Sequence, residues 1–117
     1  MPTVDWNYHR KNCNSCSLAQ AFFDQHGVVI KHRIDARTTP LAEADVLELI
    51  EKAKDLYVTR GAKVIHFDLG REHPGNESIL ELVIGRSGKL RAPTIKVGRA
   101  VVIGFDEATY QRVLANP

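Results

Sequence analysis

Only two cysteines occur in the 117 residues, too few for a disulfide-stapled scaffold or a closed four-cysteine zinc site. No apolar run approaches the roughly 18 residues a membrane span needs. The stretch Met1-Pro2-Thr3-Val4-Asp5 lacks the apolar core of a secretion signal, so a cytoplasmic protein is expected. An excess of charge is missing too. Sixteen Lys and Arg against 14 Asp and Glu leave +2, too little to argue for nucleic acid or a membrane surface as partner. There is no glycine-rich phosphate loop and no carboxylate cluster, and the five histidines form no ligand pattern with the cysteines. Neither a metal nor a nucleotide cofactor is therefore expected.

The two cysteines form one C-x-x-C, Cys13-Asn14-Ser15-Cys16, where an extended stretch gives way to a helical one. A thiol in the first turn of a helix meets the partial positive charge and free N–H groups of that end, which favour the thiolate. A second thiol three residues on lies about one turn away on the same face, within reach of a mixed disulfide on the first. Two small buried hydrophobes, or half of a zinc site, are the alternatives. In a cytoplasmic chain, redox use is preferred.

The flanking residues support that placement. Thr3 to Tyr8 alternates, with Val4, Trp6 and Tyr8 on one side, and predicts a strand. Asn12 is a good N-cap for a helix starting at Cys13, with Leu18, Ala19, Ala21, Phe22 and Phe23 as its apolar stripe and Gly27 as its stop. Val28 to Ile34 is a second strand, parallel to the first. Thr39-Pro40 opens another helix, whose spacing (Val46, Leu49, Ile50, Ala53, Leu56, Tyr57) carries it towards Gly61. Lys63 to Leu69 alternates like a strand, and a short helix with Ile79, Leu82 and Val83 inward stops at Gly85. Thr94–Val97 and Ala100–Ile103 flank Gly98-Arg99 as a hairpin with a type II′ turn, and Asp106 caps a final helix.

This order, with C-x-x-C at the first strand–helix junction and a proline before the hairpin, resembles the thioredoxin fold. More narrowly it resembles the arsenate reductase (ArsC)/Spx branch, and within it an uncharacterised subgroup of ArsC-family proteins and selenoproteins. The likeness rests on Tyr8-His9-Arg10-Lys11-Asn12-Cys13, on residues 35–40, on residues 56–61 around Arg60, and on residues 90–105. It implies an α/β, thioredoxin-like single domain over residues 1–117: β-α-β, inserted helices, then β-β-α, with a four-stranded mixed sheet flanked by helices.

The resemblance also implies site residues. Cys13 is the nucleophile, Cys16 resolves, and Arg60, Arg91 and Asn12 hold an oxyanion or carboxylate. Pro93 is a cis-proline that sets the backbone of Ala92 opposite Cys13. Read alone, Arg60 and Arg91 are solvated surface arginines, Arg10 and Lys11 are loop solubility residues, and Trp6 is core. Asp5 is either a strand-end residue near solvent or a buried proton acceptor for Cys16. The chain departs from glutathione-dependent arsenate reductases in three ways. Ala92 separates Arg91 from the proline, no third arginine stands in the stretch Val101-Val102-Ile103-Gly104-Phe105 past the hairpin turn, and Cys16 is present. The expected activity is thiol-disulfide exchange by a monomer, with glutathione, glutaredoxin or thioredoxin as reductant and a protein disulfide as one possible substrate. Arsenate reduction and a non-enzymatic, Spx-like redox switch are the alternatives.

Overall fold

In the computed structural model, which describes residues 2–116, the N-terminal strand is broken in two, β1 (Thr3–Val4) and β2 (Trp6–His9). Asp5 causes the break. Its carboxylate accepts from the Gly98 N–H at 2.7 Å and lies 3.6 Å from Lys31 Nζ. The interruption changes the face: Val4 packs on one side of the sheet, Trp6 and Tyr8 on the other. Asp5 thus sits at the end of the strand remote from Cys13, which leaves the strand-end reading and excludes it as proton acceptor for Cys16. Trp6 is only partly buried, stacked on Tyr8 at a centroid distance of 6.0 Å.

Helix α1 (Asn14–His26) follows, then β3 (Val29–Ile30) and β4 (Arg33–Asp35), which run parallel to β1 and β2 respectively. Gly27 ends α1 in the left-handed conformation (φ 61°) that a residue with a Cβ adopts only at a cost. The buried stripe of α1 is Cys16, Ala19, Phe22 and Phe23, a spacing of three and four. Leu18, expected there, is 50% exposed, and Ala21 is exposed as well.

The largest departure from the sequence reading lies between residues 39 and 69. Helix α2 covers only Glu43–Glu51, and Asp55–Arg60 is a strand, β5, paired antiparallel with β6 (Lys63–Asp68). Leu56 and Val58 are buried under α2, while Tyr57 points into the opposite core. A strand apolar on both faces shows no period of two, so its residues mimic the continuation of a helix. Gly61 (φ 61°) is the turn of the β5–β6 hairpin rather than a helix stop. Nor does Thr39-Pro40 open α2. The Thr39 N–H is held in a turn on Asp35 O at 2.9 Å, and the helix starts after Ala42, whose N–H is accepted by Asp45 Oδ2 at 3.1 Å.

Helix α3 (Asn76–Val83), the hairpin β7 (Thr94–Val97) and β8 (Ala100–Ile103), and α4 (Glu107–Ala115) complete the chain. Of the α3 residues expected to point inward, Ile79 and Val83 are fully buried and Leu82 partly so. Val97 pairs with Ala100 across Gly98 (φ 59°) and Arg99, and Arg99 has no positive φ, so the turn is type II′. Asp106 caps α4 by accepting from Thr109 N at 3.0 Å. The main sheet has the order β4-β2-β7-β8-β5-β6. The four strands of the expected arrangement stand in thioredoxin-like order, and β5 and β6 extend the sheet to six. One core lies beneath α2 and α3, a second beneath α1 and α4. No helix among the described residues is long and apolar enough to cross a membrane.

Gly104 ties the end of β8 to the loop before β7. Its N–H donates to Pro93 O at 2.8 Å, its carbonyl accepts from Tyr110 Oη at 2.9 Å, and its φ is 94°. A Cβ there would collide with the Thr59 side chain. Gly104→Ala is expected to cost about 2–3 kcal/mol through strain and overpacking. Urea denaturation checks this, and an unchanged midpoint would contradict the packing described.

Candidate functional site

Cys13 is itself the N-cap of α1, with extended backbone (φ −114°, ψ 124°). Asn12, expected to cap, is instead an exposed residue with φ 58° that turns the chain into the helix. The cap geometry brings the Cys16 N–H to 3.4 Å from Cys13 Sγ, and the Ser17 N–H bonds the Cys13 carbonyl at 2.9 Å. Cys13 is partly exposed, whereas Cys16 is fully buried behind it, and both are free thiols.

The two sulfurs are electrostatically unequal. Burial pushes the Cys13 thiol up. The Cys16 thiol, the Cys16 N–H and the Arg10 guanidinium outweigh burial and hold Cys13 below the ordinary thiol range. Burial pushes the Cys16 thiol up as well, to about 12, and there its hydrogen bond to Cys13 adds to the rise. Arg10, read from sequence as a solubility residue, is therefore the cation that acts on the Cys13 sulfur. Across from it the Ala92–Pro93 peptide is cis, and the Ala92 carbonyl lies 3.8 Å from Cys13 Sγ.

Cys13 opens into a cleft of about 560 Å³. Arg10, Arg86, Lys89 and Arg91 line it, and no carboxylate does. Arg86 and Lys89 come from a tight hairpin that the sequence reading passed over after Gly85. There the Gly85 N–H donates to Lys89 O at 2.8 Å and the Gly88 N–H to Gly85 O at 3.0 Å, with Gly88 at φ 80°. The signal was present in Gly85-Arg86-Ser87-Gly88-Lys89: a three-residue loop with glycine at its left-handed position. Among the described residues, no third His, Cys, Asp or Glu stands with the cysteines where a metal could be held.

No protein-family model matches the chain. Two curated proteins, each named global transcriptional regulator Spx, are similar to it along most of their length. The one from Streptococcus mutans is 25% identical over 100 residues, covering 82% of this chain and 72% of that protein. The one from Listeria innocua is 23% identical over 111 residues, covering 92% and 84%. Among solved structures, the YffB protein superposes with a TM-score of 0.56 at 15% identity, over 93% of this chain and 97% of its own, and shares the thioredoxin-like fold. The chain is an ArsC/Spx-like thioredoxin-fold protein.

Within this ArsC/Spx-like frame the two arginines implied by the resemblance are differently employed. Arg91 lines the Cys13 cleft, but its guanidinium is tied to the protein. Nη1 donates to Thr59 O at 2.9 Å and to Leu82 O at 3.0 Å, and Nη2 donates to Thr59 Oγ1 at 3.2 Å. Burial lowers its pKa from the ordinary arginine range. Arg60 is exposed at the end of β5 and lines a second cavity, of about 330 Å³, together with Glu81, Arg86 and Arg91. Cys13 and Asn12 are not among the residues lining that cavity, and Asn12 lines neither.

The inequality of the thiols fixes an expected pH profile. Below its pKa each sulfur is protonated and inert, so alkylation of reduced protein by iodoacetamide should modify Cys13 alone. Its inflection should fall below the ordinary thiol value of about 8.5, and Arg10→Gln should move it upward. Mass mapping of the alkylated cysteine checks the assignment. Equal labelling of both thiols at neutral pH would contradict it.

Proposed function

We propose that this ArsC/Spx-like protein is a thiol-disulfide oxidoreductase, with Cys13 as the nucleophile and Cys16 as the resolving thiol. The supporting observation is the unequal pair: a depressed, cleft-facing sulfur hydrogen-bonded to a buried one with a raised pKa. As thiolate, Cys13 attacks one sulfur of a substrate disulfide. The S–S bond breaks, one thiolate leaves, and a mixed disulfide remains on Cys13. Loss of that thiolate removes the hydrogen bond and the negative charge that add to burial in holding the Cys16 proton. Cys16 then gives its proton to solvent, attacks Cys13 Sγ and expels the second thiolate. Two electrons pass to the substrate and a Cys13–Cys16 disulfide remains. A thiol or dithiol reductant closes the cycle, with glutathione, glutaredoxin or thioredoxin as the chemical class.

Ala92 and Pro93 form the wall opposite Cys13 along which an extended substrate can lie. Arsenate reduction draws less support, because Arg60 faces another cavity and most of the hydrogen bonds from Arg91 are spent on Thr59 and Leu82. Arg91 is assigned instead as a positioning residue that braces β5 and α3 against the cleft. The Spx relatives are named transcriptional regulators, which motivates one second reading: the same cysteine pair serving as a redox switch on a partner contact. That reading needs no turnover.

Trapping separates the two. In Cys16→Ser, a disulfide substrate should accumulate on Cys13 as a mixed disulfide at one per chain, and catalytic reduction with glutathione or thioredoxin should fall at least tenfold. Cys13→Ser should trap nothing. Mass spectrometry of the intact protein reads both. A wild-type protein that forms the internal disulfide yet never turns over would overturn the enzyme reading in favour of the switch.

A further inference from the structure

The whole chain is nearly neutral, with 16 basic and 14 acidic residues, yet the cleft around Cys13 holds four cations and no acid. Two of the four have other work: Arg91 is bonded to Thr59 and Leu82, and Arg10 faces the cysteines. Arg86 and Lys89 do not. Both are exposed, and among the described residues neither side chain makes a hydrogen bond or an ion pair. Their backbone is nonetheless held firmly. The loop closes on itself through Gly85 and Lys89. Ile84 bridges Leu90, the Leu90 N–H donates to Leu41 O at 2.8 Å, and the Arg91 N–H donates to Val83 O at 2.9 Å. Two uncommitted positive charges are thus carried on a fixed support at the mouth of a cleft of about 560 Å³, a size that suits a small molecule.

We infer that the 85–89 hairpin is the specificity element of this site. It selects a small disulfide whose sulfurs are flanked by carboxylates or comparable anionic groups. The inference rests on the thiol-disulfide reading above and adds the charge of the acceptor. Arg86 and Lys89 attract the anionic disulfide to Cys13 before reaction. When the Cys13 thiolate breaks the S–S bond, the departing thiolate carries its own anionic group plus a new negative charge on sulfur. The same two side chains stabilise both. The second thiolate, expelled by Cys16, leaves the same way, and both take protons from water.

Three disulfides of different charge test this in stopped flow with the reduced protein: dianionic dithiobis-nitrobenzoate, neutral hydroxyethyl disulfide and dicationic cystamine. Comparing variant with wild type for each probe cancels its intrinsic reactivity. In Arg86→Gln/Lys89→Gln, the preference for the dianion over the neutral disulfide should fall about tenfold at low salt, and cystamine should gain relative to neutral. In wild type the same preference should shrink as salt is raised. If wild type reacts with all three and the variant slows them equally, the charge inference fails while the oxidoreductase reading stands. A wild-type Cys13 inert to every disulfide would defeat both.

Discussion

The hydrogen bond from the Cys16 N–H to Cys13 Sγ, at 3.4 Å, is the interaction on which the rest of the site depends. It makes the Cys13 sulfur a helix cap, so the position of Cys13 is set by α1 rather than by a loop. It also aligns the thiolate with the N–H groups of the first helical turn, where negative charge is favoured by about 0.3–1 kcal/mol at an exposed end and more when partly buried. Cys16 enters the same arrangement from below, its side chain sealed beneath α1 and its proton retained to about pH 12. One local geometry thus produces two thiols of opposite tendency.

The fold holds that geometry from several directions. The C-terminal end of β2 delivers Arg10 and Cys13, and the residues before β7 bring Ala92 to the opposite side. Behind them runs a line of contacts in which Gly104 bonds Pro93, Thr59 fills the space where Gly104 has no side chain, and Arg91 clasps Thr59. Buried Asn7 completes the support of the central strand, donating to Thr94 O at 3.2 Å and accepting from Arg33 Nε at 2.9 Å. The extra strands β5 and β6 matter here because Thr59 and Arg60 stand at the end of β5. The Arg91 clasp therefore couples the added hairpin to the cleft wall.

What was legible in the sequence was what local chemistry specifies. Cys13-x-x-Cys16, the Gly27 stop, the Gly98-Arg99 turn and the Asp106 cap each depend on a few adjacent residues, and each lies within a residue or two of its expected place. Asp55–Arg60 was not legible, because a strand buried on both faces and a buried helix end read alike. Asn12 was misassigned for a related reason. Asparagine suits both an N-cap and a left-handed turn, and here the sulfur took the cap. The cationic cleft could not be read from spacing at all, since Arg10 and the 86–91 segment are far apart in the chain and meet only because β2 pairs with β7.

Direct titration of the two sulfurs decides the matter. The ¹³Cβ shifts of Cys13 and Cys16 in the reduced, labelled protein can be followed by NMR from acid to about pH 12. The account predicts two well-separated steps, Cys13 below the ordinary thiol value and Cys16 at the top of the range. Coincident steps near about 8.5, or Cys16 ionising first, would contradict it.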